Sequence, residues 1–286
     1  MIITVTCNPA IDKTVYENKT IFDVGGKGIN VSKVLNKLGT KSIVTGFVGK
    51  DNRKIVTDDL YSLNIENHFI EVNGKVRTNT KYIIDGKLIE NNEDGPNITK
   101  EDIKELLNYL SNFKNEIVVI SGSAPKSADV NIYKDIVSIL KKNNNYVILD
   151  CANDLFKNAI EAKPNVIKPN IDEICKYFNI EYNESLVVSK CKELNIDLIC
   201  LSLGEDGAIF IGEDVVKCEP LKIICSSSVG AGDAMVAALA YSKENNCSYE
   251  ETIKLAMACA SAACETEGTK PPEYDSIMMK INEVKL

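Results

Sequence analysis

Residues 116–150 read EIVVISGSAPKSADVNIYKDIVSILKKNNNYVILD, and their pattern sets the class of the fold. The β-branched run at 116–121 predicts a strand, the apolar residues of 128–142 recur at helical spacing, and 146–150 predicts a second strand. Two strands connected through a helix of this length lie parallel in one sheet. The segment therefore predicts a βαβ unit within an α/β protein.

The same alternation of strands and helices continues on both sides of this unit. Further helices are predicted at 28–39, 51–63, 100–111, 153–162, 170–178, 184–194, 231–245, 249–265 and 274–283. Further strands are predicted at 1–7, 43–48, 67–72, 76–84, 87–90, 165–168, 198–203, 207–211 and 214–218, with a hairpin turn at Asp85-Gly86. We expect a mainly parallel sheet that binds ligands at the carboxyl ends of its strands.

Composition limits the class of protein. The chain has 286 residues, of which 44% are apolar and 26% charged, as is typical of a soluble globular protein. Lysine and arginine number 33 against 41 acidic residues, so the net charge of −8 argues against a nucleic-acid partner. The chain lacks the ~18 consecutive apolar residues of a membrane helix and the basic start of a signal peptide. We therefore expect a cytoplasmic protein with no membrane partner.

Cysteine and histidine usage narrows the chemistry further. The ten cysteines are scattered without a C-x-x-C pair, and His68 is the only histidine. These features argue against a zinc site and against a Ser-His-Asp triad. Most of the cysteines lie in apolar stretches, where they are interpreted as small buried side chains of a protein from a reducing compartment.

Residues 226–235, SSSVGAGDAM, open a helix of small residues. Glycines let backbone N–H groups approach a ligand closely, and a helix N-terminus supplies unpaired donors. The segment is therefore a candidate site for a phosphate or an oxyanion. Asp233 in the first turn can take the proton of an attacking hydroxyl. The alternative is that Asp233 only complements the helix dipole.

Three further motifs are candidates for polar ligands. Residues 25–30, GGKGIN, open another helix but match neither the P-loop nor the dinucleotide fingerprint, so a structural turn is equally compatible. Asp12 follows the first strand and can accept hydrogen bonds from sugar hydroxyls, or it can belong to a simple turn. Arg77, Asn79 and Lys81 share one face of a predicted strand, where two cations suit a phosphate or a solvated edge.

A fourth motif lies at the start of the helix predicted at 170–178. Asn170 and Glu173 are three residues apart there and can coordinate Mg²⁺ through water. The same spacing is typical of a capping box, in which the two residues serve only the helix.

Taken in order, these motifs resemble those of the ribokinase-like sugar kinases, also called the PfkB carbohydrate kinase family. The resemblance covers almost the whole chain, and within the family the chain looks most like the branch of 1-phosphofructokinase and tagatose-6-phosphate kinase. Its carriers are NPAID at 8–12, GGKGIN at 25–30, RTNTK at 77–81, SGSAP at 121–125, KPNIDE at 168–173, SLGEDGA at 202–208 and VGAGDAM at 229–235. The resemblance implies a three-layer α/β/α sandwich with a mainly parallel central sheet, as a single domain over 1–286. It also implies a small β lid within 13–24 and 67–90.

The resemblance implies a role for residues of each motif. Asp233 would be the catalytic base, and the amides of Ala231, Gly232 and Asp233, in the GAGD turn that begins at Gly230, would form the anion hole. The sugar hydroxyls would be held by Asp12, Gly26 and Asn30, and the phosphate already on the sugar by Arg77, Lys27, Lys81 and Ser123. ATP would be bound by Asn170, Ser202, Leu203, Gly204, Glu205, Asp206, Gly207 and Gly232, and Mg²⁺ would be organised by Glu173 through water.

The implied reaction is the ATP-dependent phosphorylation of a ketohexose phosphate, with fructose 1-phosphate converted to fructose 1,6-bisphosphate as the leading prediction. The alternatives are a tagatose-6-phosphate kinase, a kinase of an unphosphorylated sugar or nucleoside, and a non-catalytic sugar-phosphate sensor. A nicotinamide dehydrogenase is disfavoured because the dinucleotide fingerprint is absent.

The chain departs from the branch in its lid segment. Only twelve residues, 13–24, separate NPAID from GGKGIN, and this stretch is usually longer in the branch. We therefore expect a shortened lid. Its length argues against the clasp-type homodimer that is usual among these kinases.

Overall fold

Strands and helices alternate along residues 1–84 and 87–286, which are the residues that the computed structural model describes. The strands are β1 (Ile2–Thr6), β2 (Ala10–Val15), β3 (Thr20–Gly25), β4 (Ser42–Gly49), β5 (Glu66–Val72), β6 (Arg77–Ile84), β7 (Lys87–Asn92), β8 (Ile117–Ser121), β9 (Tyr146–Asp150), β10 (Val166–Ile167), β11 (Leu198–Ser202), β12 (Ala208–Ile211) and β13 (Val215–Cys218). The helices are α1 (Lys27–Lys37), α2 (Arg53–Ser62), α3 (Lys100–Leu110), α4 (Ile132–Lys142), α5 (Asn153–Ala159), α6 (Ile171–Phe178), α7 (Glu184–Glu193), α8 (Ala231–Glu244), α9 (Tyr249–Cys264) and α10 (Tyr274–Ile281).

The central sheet has the strand order β13-β12-β11-β10-β9-β8-β1-β4-β5. All neighbours from β5 to β11 run parallel, and β12 and β13 extend one edge antiparallel. β1 and β8 are buried along their whole length, as is usual for parallel strands that helices cover on both faces. The predicted mainly parallel α/β architecture is confirmed.

Helices cover the sheet on both sides and make three layers. On one side, α1, α8, α9 and α10 bury side chains such as Leu35 and Ile253 against the strands. On the other side, α3 to α7 bury Leu106, Ile136 and Phe156. These apolar stripes lie at helical spacing in the sequence, so each helix gains its stability from packing on the sheet. Within the described residues, no helix is long and apolar enough to cross a membrane.

A second, four-stranded sheet has the order β3-β2-β6-β7 and forms the lid. β2 runs parallel to β6 and antiparallel to β3, and β7 is antiparallel to β6. The base of the lid is anchored by Ile11 and Val24, which pack with Val56 and Leu60 of α2. The base of the lid is thus continuous with the body of the protein through an apolar contact.

The lid differs in two respects from the ranges expected for it. The expected range 67–90 is wrong at its beginning, because β5 joins the central sheet beside β4 and buries Ile70 and Val72 there. β4, α2 and β5 form a βαβ unit of the same kind as residues 116–150. The expected range 13–24 is too narrow, because β2 begins at Ala10 and β3 ends at Gly25. The predicted hairpin turn at Asp85-Gly86 lies outside the described residues.

Candidate active site

The N-terminus of α8 is a site built for an anion. Gly230 precedes the helix with φ 88°, a left-handed conformation that favours glycine. The amides of Gly232 and Asp233 belong to the first turn and have no acceptor within the helix. The Ala231 amide already donates to the Ser228 carbonyl at 3.4 Å. Two amides therefore point their hydrogens out of the helix, where the partial positive charge of the dipole adds to them.

Asp233 is buried beside these amides. Asp233 is only 6% exposed to solvent, and Asn30 Nδ2 donates to its Oδ2 at 2.8 Å. Burial, reinforced by the negative charge of Asp150, raises the pKa of Asp233 to about 6. The carboxylate is thus ionised at neutral pH and is a stronger base than an ordinary aspartate. It can accept a proton from a hydroxyl placed next to it.

A second buried carboxylate, Asp150, organises the cations of the site. It ends β9 and is 2% exposed. Its Oδ2 lies 3.1 Å from Lys27 Nζ and accepts from Ser121 Oγ at 3.0 Å, and its Oδ1 lies 3.3 Å from Lys168 Nζ. Burial alone would raise the pKa of Asp150, but the two ammonium groups and the hydrogen bonds hold that pKa below its usual value. The pair of lysines is therefore fixed by one carboxylate.

The two lysines border different parts of the site. The Lys27 side chain is 46% exposed and borders a cavity under the lid, whereas the Lys168 side chain is 7% exposed. Burial lowers the pKa of Lys27, but the charges of Asp150 and Asp233 raise it further, so the ammonium stays protonated. A Cβ placed on Gly232 would lie 3.3 Å from Lys168 Nζ, so this ammonium sits directly against the amides of α8.

The lid cavity is the space under the lid that Thr6, Asn8, Gly26, Lys27, Arg77 and Ser123 border together with residues of 121–122 and 151–155. Its volume is about 420 Å³. Several buried polar atoms in and next to it have no partner among the described residues. These atoms are Thr6 Oγ1, Asn8 Oδ1, Asn30 Oδ1, Arg77 Nε and Asn79 Oδ1. Buried polar groups are normally hydrogen-bonded, so a cluster of unpaired ones indicates a polar ligand with many hydroxyl or oxygen atoms.

Asp12 and Asn79 lie on adjacent lid strands close to Arg77, although neither is among the residues bordering the lid cavity. They are paired in the register of β2 and β6, and Asn79 Nδ2 donates to Asp12 Oδ1 at 2.9 Å. A Cβ on Gly25 would lie only 2.0 Å from Asp12 Oδ2, so a larger residue at position 25 would displace this carboxylate. Burial lowers the pKa of Arg77, and the charge of Asp12 offsets part of that shift. The lid thus holds one guanidinium and one carboxylate beside the cavity.

The strap cavity lies on the other side of α8. We define the strap as residues 219–230, which connect β13 to α8. Residues 220–225 of the strap border the cavity, as do residues of α9 including Met257, Ala260 and Cys264. Its volume is about 1160 Å³, and Ser202, Gly204, Glu205 and Gly207 close one end of it. Gly207 has φ 92°, and a Cβ there would lie 2.1 Å from the Cys218 carbonyl, so this turn requires glycine. The cavity is wide and largely apolar, with backbone groups at its end.

Asn170 and Glu173 form a capping box at the start of α6. Asn170 Oδ1 accepts from the Glu173 amide at 2.8 Å, and Glu173 Oε2 accepts from the Asn170 amide at 2.9 Å. Asn170 also borders the strap cavity. Among the described residues, no group of three His, Cys, Asp or Glu could hold a metal ion. Glu173 keeps Oε1 outside the capping box, so this oxygen can accept a hydrogen bond from a water molecule, including one bound to a metal ion.

The structure brings most of the predicted residues to one place. Gly26, Lys27, Arg77 and Ser123 border the lid cavity, while Asn170, Ser202, Gly204, Glu205, Gly207, Ala231 and Gly232 border the strap cavity. Leu203 and Asp206 instead face a separate groove behind the 204–207 turn. Lys81 lies four residues beyond Arg77 on β6, opposite Thr14, and is not among the residues bordering the lid cavity.

Asp150, Lys168 and Asn79 are absent from the residues predicted to form the site. Asp150 and Lys168 directly follow the apolar runs VIL and VI at the carboxyl ends of β9 and β10. A charged residue at the carboxyl end of a buried parallel strand is the signal that identifies both, because ligands bind at that edge. Asn79 alternates with Arg77 on one strand face, which is a weaker signal of the same kind.

Comparisons with known proteins agree on one family. Residues 1–275 match the profile of the pfkB family carbohydrate kinases. The chain is 32% identical to the 1-phosphofructokinase of Borreliella burgdorferi, over 94% of this chain and 95% of that protein. It is 28% identical to a tagatose-6-phosphate kinase of Staphylococcus epidermidis, over the full length of both. The crystal structure of Escherichia coli phosphofructokinase-2 with substrates and products has the same fold, with a TM-score of 0.91, 24% identity and coverage of 99% and 98%.

Proposed function

The chain belongs to the pfkB family of carbohydrate kinases, and from this premise we propose that it phosphorylates a ketohexose phosphate with Mg-ATP. The reaction would convert fructose 1-phosphate to fructose 1,6-bisphosphate. The observation that carries the proposal is the position of Asp233. It follows Gly232 on the border of the strap cavity and accepts a hydrogen bond from Asn30, whose unpaired Oδ1 is one of the buried polar atoms in and next to the lid cavity.

Asp233 is the general base of the proposed reaction. The acceptor hydroxyl of the sugar lies against its carboxylate and loses a proton to it as the oxygen attacks the γ-phosphorus of ATP. Asn30 donates to one carboxylate oxygen and orients the other toward the hydroxyl. A base with a pKa of about 6 is ionised at neutral pH and still holds the proton well, which is the range in which general bases are most effective.

The amides of Gly232 and Asp233 and the ammonium of Lys168 stabilise the transferring phosphoryl group. Phosphoryl transfer depends mainly on positioning and on neutralising the equatorial oxygens. Fixed donors cost no reorganisation when the charge shifts, and Asp150 holds Lys168 in place for this purpose. Lys27, on the same carboxylate, faces the side from which the acceptor comes.

The lid cavity is the proposed site of the sugar phosphate. Asp12, Asn79, Asn8 and Thr6 offer oxygen and nitrogen atoms to the hydroxyls, and the unpaired Arg77 Nε offers a charged donor to the phosphate. An arginine binds a phosphate through two parallel hydrogen bonds, which a neutral sugar cannot use. Arg77 therefore favours a phosphorylated acceptor over a free sugar or a nucleoside.

The strap cavity is the proposed site of the nucleotide. Its apolar walls suit a base, and the 204–207 turn and the N-terminus of α8 suit the ribose and the phosphates. Bound Mg²⁺ would neutralise the charge of the β- and γ-phosphates. Glu173 Oε1 is the group of this chain that would orient a water of the ion, while its other oxygen keeps α6 capped.

The second candidate is a tagatose-6-phosphate kinase, which the 28% identical relative favours. Both reactions need one phosphate and one free hydroxyl on a ketohexose, so the same residues serve both. The non-catalytic sensor is disfavoured because a buried base and a cationic cluster at the transfer point serve a reaction and are costly for binding alone.

The proposal is tested by ADP release in a coupled assay with Mg-ATP. Fructose 1-phosphate, tagatose 6-phosphate, fructose 6-phosphate and free fructose are compared in parallel, with the Asp233→Asn variant as the control for contaminating kinases. We expect turnover on fructose 1-phosphate that the variant loses. Turnover on tagatose 6-phosphate alone would select the second candidate. ATP binding without turnover on any acceptor would reject the proposed reaction.

A further inference from the structure

Two cysteines meet at the edge of the strap cavity. Cys225 belongs to the strap and Cys264 is the last residue of α9, and both border the cavity. The amides of Ser226 and Ser227 both donate to the Cys264 carbonyl, at 2.8 and 3.1 Å, and the Cys225 side chain lies close enough to Cys264 to raise the pKa of its thiol. The Ser226 nitrogen is bonded to the carbonyl carbon of Cys225. Two backbone hydrogen bonds therefore hold the strap against the end of α9 at these two cysteines, and a disulfide between them needs about 4.4–6.8 Å between Cα atoms.

We propose that Cys225 and Cys264 form a reversible disulfide that controls access of the nucleotide to the strap cavity. This inference rests on the proposed function in one respect only, namely that ATP occupies this cavity. Nothing in the kinase reaction requires either thiol, so the pair is a modification site separate from the chemistry.

The two thiols differ in accessibility. Cys225 is exposed, and Cys264 is half-buried. Burial raises the pKa of the Cys264 thiol to about 11, so at neutral pH it is overwhelmingly protonated. The thiolate is the reactive form of cysteine, and an oxidant in solution reaches Cys225 first. Cys225 is thus the attacking thiol and Cys264 the resolving thiol.

The strap has the freedom to make the bond. Residues 219–230 carry no helix or strand, and Ile224 is 88% exposed and Val229 is 42% exposed. A segment with few buried apolar contacts opens and shifts at low free-energy cost. The strap can therefore adjust to bring the Cys225 sulfur to the S–S bond length of about 2.05 Å from the Cys264 sulfur.

The oxidant that fits this pair is a low-molecular-weight disulfide such as oxidised glutathione. The Cys225 thiol releases its proton to solvent, its sulfur attacks one sulfur of the small disulfide, and the other sulfur leaves as a thiolate. The Cys264 sulfur then loses its proton and attacks the Cys225 sulfur, and the second small thiolate leaves. The two protein thiols are oxidised by two electrons, and the small disulfide is reduced to two thiols.

The bond would tie the strap to α9 across the cavity. The nucleotide would occupy the space that these two elements border together, because residues 221–225 and Met257 both line the cavity. Fixing one wall to the other restricts the adjustment that admits the base. We expect the KM for ATP to rise about 5-fold or more on oxidation, which is the lower end of usual coupling between sites. The KM for the sugar phosphate is expected to stay the same, because the lid cavity does not touch the strap.

The experiment compares the protein after treatment with oxidised glutathione and after reduction with dithiothreitol. Peptide mass mapping is expected to show one cross-link between Cys225 and Cys264. On oxidation, the affinity for a fluorescent ATP analogue is expected to fall and the KM for ATP to rise. Both values are expected to recover on reduction. In Cys225→Ser and in Cys264→Ser, the protein treated with oxidised glutathione and the reduced protein are expected to have the same affinity for the analogue and the same KM for ATP. Cys247→Ser is the matched control, because Cys247 is also half-buried but lies away from the strap cavity, and it should retain the difference.

The inference would be overturned if the cross-link did not form under conditions in which oxidised glutathione oxidises exposed thiols. It would also be overturned if the cross-link formed but left binding of the ATP analogue unchanged. Failure of the proposed function is distinguishable from both. If no acceptor is phosphorylated but the cross-link forms and weakens analogue binding, the redox inference stands and the proposed reaction falls.

Discussion

The two cavities on either side of Asp233 are built from different groups. The lid cavity is small, about 420 Å³, and is bordered by charged and amide side chains such as Lys27, Arg77 and Asn8. The strap cavity is nearly three times as large, about 1160 Å³, and is bordered by glycines and by apolar side chains such as Leu221 and Met257. Side-chain donors and acceptors select a ligand by the direction of its hydrogen bonds, whereas apolar walls and backbone amides bind any ligand of suitable shape. The lid cavity is thus built to select its ligand and the strap cavity to accommodate one.

Asp150 joins the two halves of this comparison. It holds Lys27 toward the lid cavity and Lys168 toward the amides beside the strap cavity. Substitutions at the residues between the two cavities should therefore affect the reaction of both ligands. Substitutions of a residue that borders one cavity should affect the binding of one ligand only. The following substitutions separate these cases.

Asp233→Asn has the largest expected effect, because it removes the base that both ligands meet. We expect kcat to fall by about 10²- to 10⁴-fold with nucleotide binding retained. The fold tolerates the change, because Asn30 Oδ1 is buried without a partner and can accept from an amide at position 233. The coupled assay gives kcat, and calorimetry gives the affinity for ATP. A variant with wild-type kcat would exclude Asp233 as the base.

Asp150→Ala tests the shared anchor through stability. It leaves the buried ammonium of Lys168 without its counter-charge, which costs about 3–5 kcal/mol of unfolding free energy. Urea unfolding measures the change. Glu161→Gln is the control, because the ion pair of Glu161 with Lys134 lies on the surface and its loss should leave the unfolding midpoint nearly unchanged. Similar shifts for both variants would mean that the Asp150 cluster is no more than an ordinary surface pair.

Arg77→Ala tests whether the lid cavity alone selects the phosphate of the acceptor. We expect the KM for fructose 1-phosphate to rise about 30-fold or more, since a desolvated charge pair is lost, while the KM for ATP stays near its original value. Arg53→Ala is the matched control, because Arg53 pairs with Glu71 outside both cavities. An equal rise in both KM values would remove the distinction between the cavities.

The pH dependence is the smallest of the expected effects. Because burial raises the pKa of Asp233 to about 6, kcat/KM should fall about tenfold per pH unit below that value as the base becomes protonated. A rate that is flat between pH 5 and pH 8 would assign the proton transfer to another group.

The same pKa predicts a change in stability of opposite sense. The folded state binds the Asp233 proton more tightly than the unfolded chain, whose ordinary pKa is 3.8. The free energy of unfolding should therefore decline as the pH rises from about 4 to about 6. Urea unfolding of the wild type and of Asp233→Asn across this window isolates the contribution, which the variant should lack.

The central sheet could be predicted from the sequence because its information is local. The strands around Val118 and Ile148 are continuous apolar runs between helical patterns, and buried parallel strands have this form. The lid could be predicted less well. Asp12 and Asn79 meet only because β2 pairs with β6 across a long separation in the chain, and half-buried strands of mixed polarity carry little local signal.

The site shows the same division. Asp233 and Arg77 stand out in the sequence by motif and by rarity. Asp150 and Lys168 have only the signal of their position at the carboxyl ends of β9 and β10, and a charged residue there can also face solvent. Only the packing of β9, β10 and α8 reveals that both are buried and paired. Asn170 and Glu173 fit two interpretations, and the capping box they form leaves room for both, since one Glu173 oxygen remains outside it.

The turn between β2 and β3 offers a practical handle on motion. A hydrogen bond from the Tyr16 amide to the Lys19 carbonyl at 2.8 Å closes this turn, and Glu17 and Asn18 at its tip are exposed. The Tyr16 hydroxyl donates to Glu267 in the loop after α9 at 3.5 Å, so the tip of the lid lies next to the end of α9. A fluorophore on Asn18, paired with a quencher on the outer surface of α9, would therefore report opening and closing of the lid in real time without entering either cavity.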